Sequence, residues 1–209
     1  MVQAESFQVE LPPYFQDMSI LGRGPSEGLL FMNSLNTEMA TGGTLEKKPA
    51  LEVGASAREM DYLHVLDWKK ALQLASAPGK WKTINGIKVI SLDTAIAEKL
   101  LWFVPESKSP HGVDLAPGGE YVAVSGKLDP HVSVYSVEKI KKAITDNTVE
   151  GKDPFGVPIL KYDACLEAHV PTGLGPLHTV FDNAGNAFTS HFLDSTVVKW
   201  TLGPPYNLR

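Results

Sequence analysis

Apolar positions along this chain come in short runs, broken at close intervals by Gly, Pro, Asn and Asp, and most of these runs alternate or are rich in β-branched residues. That pattern predicts strands rather than helices over 61–68, 102–105, 111–115, 121–125, 132–135, 159–162, 180–181, 187–192 and 197–202. A further strand pair is expected within 82–91, around Asn85-Gly86, the strongest short hairpin signal. Three stretches read as helix. Residues 69–77 are rich in Ala and Leu and stop at Pro78-Gly79; a second helix is capped by Asp93 or Thr94 and runs to Leu101; a lysine-rich one covers 137–146. Ahead of them, 28–32 is a short apolar run, 33–43 is polar and turn-rich, and 47–57 reads as loop.

The strand pattern repeats. His111 follows a proline-containing bend and opens an apolar run, and His178 does the same. Gly118 and Gly185 follow each histidine at the same offset, as do Tyr121 and Phe188. Leu128-Asp129 and Leu193-Asp194 come next, and then β-branched runs ending on Tyr135 and Trp200. Short strands with turns between them, repeating at the 67-residue spacing from His111 to His178, predict radially repeated sheets, a β-propeller with short connecting helices. In that architecture histidines at equivalent inner-strand starts converge on the axis. A sandwich is the alternative, but it has no need of histidines in register.

Composition narrows the picture only a little. At 209 residues, 43% apolar and 21% charged, the chain suits a globular protein with a substantial core. A formal charge of −5, with no basic cluster larger than a Lys-Lys pair, argues against nucleic-acid binding. No stretch approaches the roughly 20 apolar residues of a membrane span, and Met1 to Glu5 does not open a signal peptide. The chain stops directly after a strand, so a fragment of something longer is expected, which leaves the missing signal uninformative. Cys165 is the sole cysteine; it reads as a small buried hydrophobe and rules out an internal disulfide.

Of six histidines, His64 and His131 lie inside strands and His169 and His191 have no upstream counterpart, so all four read as structural. His111 and His178 stand apart as the matched pair: ligands of one metal, or structural residues of a repeat. Two histidines do not complete a catalytic metal site, and the pattern does not name the metal. No Gly-x-Ser-x-Gly elbow is present, and Gly22-Arg23-Gly24-Pro25 lacks the third glycine of a dinucleotide loop. Asp129 and Asp194 read as turn-bonding residues. Glu38, among Asn33, Asn36 and Thr37, sits in an oxygen-rich loop of the kind that suits calcium, or is simply solvated.

Four segments together resemble nitrous-oxide reductase: Ser109-Pro110-His111-Gly112-Val113-Asp114, Ser125-Gly126-Lys127-Leu128-Asp129-Pro130-His131, Gly173-Leu174-Gly175-Pro176-Leu177-His178-Thr179 and residues 194–200. Residues 36–43, 51–56 and 60–64 strengthen the likeness and favour the second, atypical clade of that family. The resemblance implies that residues 1–209 are an internal part of an N-terminal seven-bladed β-propeller, with a C-terminal cupredoxin domain absent from this chain. It implies reduction of nitrous oxide to dinitrogen and water, the last step of denitrification. The reaction takes place in the periplasm, at a tetranuclear copper-sulfide cluster held by seven histidines. His111 and His178 fall on two of those seven positions, and Glu38 and Asp61 fall on acidic calcium-ligand positions.

The same resemblance implies a dinuclear copper centre in the missing domain, a homodimer, and an electron donor such as a c-type cytochrome or cupredoxin. The family's usual tyrosine three residues before the glutamate is Leu35 here, and its usual asparagine two before the first cluster histidine is Ser109. The isolated chain is expected to be inactive, because two ligands of seven cannot assemble the cluster. The alternative reading is a non-catalytic propeller scaffold that binds partners, its histidines structural.

Overall fold

The strands follow the apolar runs closely, and among the described residues four short α-helices join them. The structure, a computed structural model, describes residues 6–12, 14–35, 61–107 and 109–209. The first eight strands are β1 (Phe7–Val9), β2 (Phe15–Met18), β3 (Leu29–Leu35), β4 (Tyr62–Asp67), β5 (Lys82–Ile84), β6 (Ile87–Ile90), β7 (Leu101–Pro105) and β8 (Pro110–Leu115). They are followed by β9 (Tyr121–Gly126), β10 (His131–Ser136), β11 (Val149–Lys152), β12 (Pro158–Leu160), β13 (Leu166–Pro171), β14 (Pro176–Phe181), β15 (Asn186–His191) and β16 (Thr196–Thr201). The helices are α1 (Trp68–Ala75), α2 (Leu92–Ala97), α3 (Val137–Thr145) and α4 (Tyr162–Cys165).

These strands make a six-stranded sheet ordered β11-β12-β7-β4-β3-β2, a four-stranded sheet β13-β10-β9-β8, and two three-stranded sheets, β14-β15-β16 and β1-β6-β5. The chain is therefore mostly β, as its pattern predicts. Within the sheets β8-β9-β10 and β14-β15-β16, strands consecutive in sequence pair antiparallel, so the two halves of the repeat are built alike. Their first strands, β8 and β14, lie at a sheet edge and pack against each other, with β2 and β3 packed against β8.

The core explains why the central runs are so continuously apolar. Val113, Val122, Val124 and Tyr135 pack with Phe31, Leu63, Val65 and Val104 of the six-stranded sheet. Ala123, Val132 and Val134 pack instead with Val170, Ala187 and Trp200. The four-stranded sheet is buried on both faces, and a strand buried on both faces loses the polar half of its alternation. The opposite face of the six-stranded sheet carries its own apolar layer of Met32, Leu66, Ile90, Leu100, Leu101 and Phe103. The sheets thus follow one another face to face, with side chains between.

Where the pattern misjudged an element, a local reason is visible. The second helix is capped by Ser91, whose hydroxyl accepts the Thr94 N–H, and not by Asp93 or Thr94. It ends at Ala97 rather than Leu101, because Lys99 turns left-handed (φ 54°) and drops Leu100 into the core. Residues 159–162 are part strand, part helix, since α4 begins at Tyr162. Asn33 to Leu35, expected to open a turn-rich stretch, instead continue β3 in register with β2, and the rest of that stretch lies outside the described residues.

His64 is a core residue, as its setting inside a strand suggests. Its ring stacks on Phe103 at 4.2 Å and meets Tyr14 edge-on at 5.9 Å. Burial pushes its pKa down to about 3, so it is neutral in the folded state. An unfolded histidine takes up its proton near pH 6.5, so the unfolded chain binds more protons below that pH. The stability of this layer is accordingly full above pH 6.5 and declines as the pH falls toward 3. We expect a loss of about 2 kcal/mol between pH 7 and pH 5 from this residue alone. Denaturant titrations at the two pH values, for wild type and His64→Phe, measure it as the difference in pH dependence between the two proteins.

Candidate metal centre

Each of the paired histidines is aimed by the same backbone device. Ser109, ahead of His111, is left-handed at φ 55°, and Gly175, ahead of His178, at φ 76°. A Cβ on Gly175 would lie 2.8 Å from the backbone nitrogen of Leu193, so the second bend needs glycine on steric grounds as well. Past the bend, the pairing of β8 with β9 shifts register between Pro110 and Val113, and that of β14 with β15 shifts between Pro176 and Thr179. In each case one extra residue is inserted on the histidine-bearing strand. A bulge of this kind bends the strand and re-aims a side chain. His111 and His178 sit within the two bulges, and the repeat found in the sequence is thus a repeat of an irregularity.

The bulged strands bring the two imidazoles together, with ring centroids 4.8 Å apart and planes at 84°. Between the strands lies Gly112, where an added Cβ would stand 2.2 Å from the Leu177 carbonyl oxygen and 3.0 Å from the His178 Cα. Asn33, buried on β3, donates its amide to the His111 carbonyl oxygen at 2.8 Å and accepts the Asp17 N–H at 3.3 Å. It ties β2, β3 and β8 into one frame. Asp17 joins the two histidines in a group whose ligating atoms all lie within 4.8 Å of one another. At 3.9 Å from His178 Nε2, its carboxylate acts by charge and not through a hydrogen bond.

Asp114 sets the orientation of His178. One carboxylate oxygen accepts the Thr179 N–H at 2.7 Å and the other lies 3.2 Å from His178 Nδ1. An ionised carboxylate only accepts, so Nδ1 carries the proton and Nε2 keeps its lone pair for a metal. Burial raises the Asp114 pKa, the Thr179 N–H and His178 pull it back, and Asp17 adds a push upward. Asp182 does not share this task, because its carboxylate is spent on the turn, accepting from Ala184, Asn186 N–H and the Asn186 side chain. We expect Asp114→Asn to fold and to weaken metal binding by about 10–100-fold, the cost of losing an orienting carboxylate. Copper titration alongside circular dichroism checks both halves of that expectation.

A cavity of about 390 Å³ adjoins the site, lined in part by Asp114, Thr179, Val113, Met18 and Arg23. Of the acidic residues considered for calcium, Glu38 lies outside the described residues. Asp61 is buried and accepts the Ser109 N–H at 3.2 Å, so its carboxylate braces the bend that launches His111. Cys165 is buried, and burial pushes its thiol up to about 12, out of reach of thiolate chemistry at neutral pH. Asp194 bonds the Leu174 N–H at 2.8 Å, the turn role expected of it. His191 is buried with Nε2 3.0 Å from the Thr172 hydroxyl, a structural contact.

Two imidazoles from bulged edge strands of successive sheets, that of His178 oriented by the partly buried carboxylate of Asp114, form a strand-mounted group that could hold a metal ion. The donor set suits copper, zinc, nickel or iron. Sequence comparison narrows this class. The chain is 34% identical over 158 residues to a nitrous-oxide reductase of Pseudomonas fluorescens, covering 73% of this chain and 23% of that protein. It is 38% identical over 137 residues to one from Cupriavidus necator, and 33% over 159 residues to one from Stutzerimonas stutzeri. The chain spans 20% to 23% of the length of these relatives. No protein-family profile matches it. A chain of Kuenenia stuttgartiensis hydrazine synthase superposes with a TM-score of 0.49 at 13% identity, over 88% of this chain and 45% of that one, too loosely to assign a fold.

Proposed function

We propose that this chain is part of the N-terminal β-propeller of a nitrous-oxide reductase of the second clade, with His111 and His178 as two of the seven histidines of a tetranuclear copper-sulfide cluster. The observation that carries this reading is the meeting of the two in-register imidazoles at 4.8 Å, from edge strands of successive sheets. Imidazoles turned into separate sheet interiors would have supported the alternative, a binding scaffold with structural histidines. Face-to-face stacking of the sheets supports the propeller, and so does the outer side of the last sheet, where Val180 and Val197 are 65% and 69% exposed. In the whole protein a further sheet covers that side.

When bound, the cluster would supply the two electrons that, with two protons, convert nitrous oxide to dinitrogen and water. The residues of this chain would hold and orient it. Asp114 keeps the proton on His178 Nδ1, Asn33 fixes the His111 backbone, and the bulges hold both rings on rigid strands. A dinuclear copper centre in a C-terminal cupredoxin domain would supply the electrons, with a c-type cytochrome or cupredoxin of the periplasm as donor and a homodimer as the working form. Glu38 and Asp61 would be the acidic ligands of a calcium ion, whose charge would reinforce the bend before His111 that Asp61 already braces. No described helix is long and apolar enough to cross a membrane. Copper analysis and a nitrous-oxide reduction assay on the full-length protein test the reading. Copper bound with turnover is expected, and a copper-free protein after reconstitution overturns it.

A further inference from the structure

A second group of ligating side chains lies at the β13–β10 side of the four-stranded sheet, at positions whose sequence pattern is that of structural residues. Asp129 stands in the turn between β9 and β10, His131 opens β10 and His169 lies on β13, which pairs with β10. One Asp129 oxygen is 2.7 Å from His131 Nδ1 and the other is 3.5 Å from His169 Nε2. The two rings lie face to face at 4.1 Å, with planes 23° apart. One ligating atom from each of the three residues lies within 4.8 Å of the other two.

The backbone holds this arrangement. Asp129 donates its N–H to the Gly126 carbonyl and accepts the His131 N–H at 3.1 Å, so the expected turn role is real and also fixes its carboxylate. Val132 pairs with Val170, one residue beyond each histidine, which fixes the two imidazoles across a ladder. Asp129 and His169 open onto a cavity of about 350 Å³ also lined by Tyr162 and the buried Glu106. The side chains of Asp129, His131 and His169 keep 23%, 32% and 37% exposure, enough for an ion to enter.

We infer that Asp129, His131 and His169 form a zinc site separate from the His111–His178 centre, with its open coordination position facing this cavity. Two imidazole nitrogens and one carboxylate oxygen are a zinc donor set, and three protein ligands leave the fourth place to water or a small anion. Bonds of about 2.0–2.1 Å in a tetrahedral site place ligand atoms about 3.3–3.4 Å apart. The 3.5 Å Asp129–His169 contact is already close to that spacing, and the 2.7 Å Asp129–His131 contact has to open by about 0.6–0.7 Å to admit zinc. The site does not depend on copper or on nitrous-oxide chemistry.

The test is zinc uptake by the full-length protein, measured by equilibrium dialysis with its copper sites filled. Wild type is expected to bind one zinc that His169→Ala binds more than about 100-fold more weakly, beyond the cost of losing an orienting partner. Asp129→Asn keeps the turn and is expected to lose the same zinc. Cobalt in its place is expected to give visible absorption bands that both variants lack. His178→Ala should leave this zinc in place while disturbing copper, which separates the two centres. Equal zinc affinity in wild type, His169→Ala and Asp129→Asn overturns the inference, as does zinc that disappears in His178→Ala.

Discussion

Replacing His178 by alanine is expected to strip the full-length protein of its copper cluster and to lower nitrous-oxide reduction by more than about 100-fold, beyond the loss of an orienting partner alone. His178 is nearly half exposed and lies on a strand edge, so removing its ring leaves no core cavity, and the sheet is expected to stay folded. The effect should therefore appear in copper content and turnover and not in denaturant stability. His111→Ala is expected to match it, because both rings face the same point. A variant that kept its cluster and rate would show that the convergence of the rings has a structural purpose only.

Gly112→Ala is expected to act through the backbone instead. The new methyl group would stand 2.2 Å from the Leu177 carbonyl oxygen, 2.7 Å from the Asp114 carboxylate and 3.0 Å from the His178 Cα. Two of those three neighbours are backbone atoms that cannot rotate aside, so β8 and β14 must separate. Overpacking of this kind costs about 1–3 kcal/mol, and the seam it opens is the one that sets the distance between His111 and His178. Lost stability and lost copper are therefore expected together. Gly151→Ala, where an added Cβ meets nothing within 4 Å, is the control and should change neither. Denaturant titration and copper analysis of both variants separate the outcomes.

The two variants differ in what they disturb. His178 contributes a donor atom, whereas Gly112 contributes the absence of a side chain. Only the first kind of residue can be nominated from chemistry read along a chain. Gly112 stands in the Ser-Pro-His-Gly segment, but its purpose depends on Leu177, a strand of another sheet. Asn33 is the same kind of residue. The sequence places it at the start of a polar stretch, and the structure places it under His111, 78 positions away.

Asp114 shows how far local reading reaches. It lies three residues after His111 in the chain, yet its carboxylate holds His178 and Thr179 from across the seam. The first unit thus supplies part of the second unit's site. His131 and His169 were legible singly as strand histidines. Their meeting with Asp129 follows from the pairing of β10 with β13, across an intervening helix pair and two short strands.

By itself the sequence determined the mostly β character, the hairpins and turns, α1 and α3, and the in-register pair His111 and His178. These rest on periodicity, turn chemistry and spacing, which act over a few residues and leave a mark in the residues concerned. Tertiary structure decided which sheet faces which, the two bulges that aim the histidines, the close approach at Gly112, the Asn33 and Asp114 contacts, and the group at Asp129, His131 and His169. All of these depend on register and distance between strands far apart in the chain. A one-residue slip would turn every side chain to the opposite face without altering the composition of any strand.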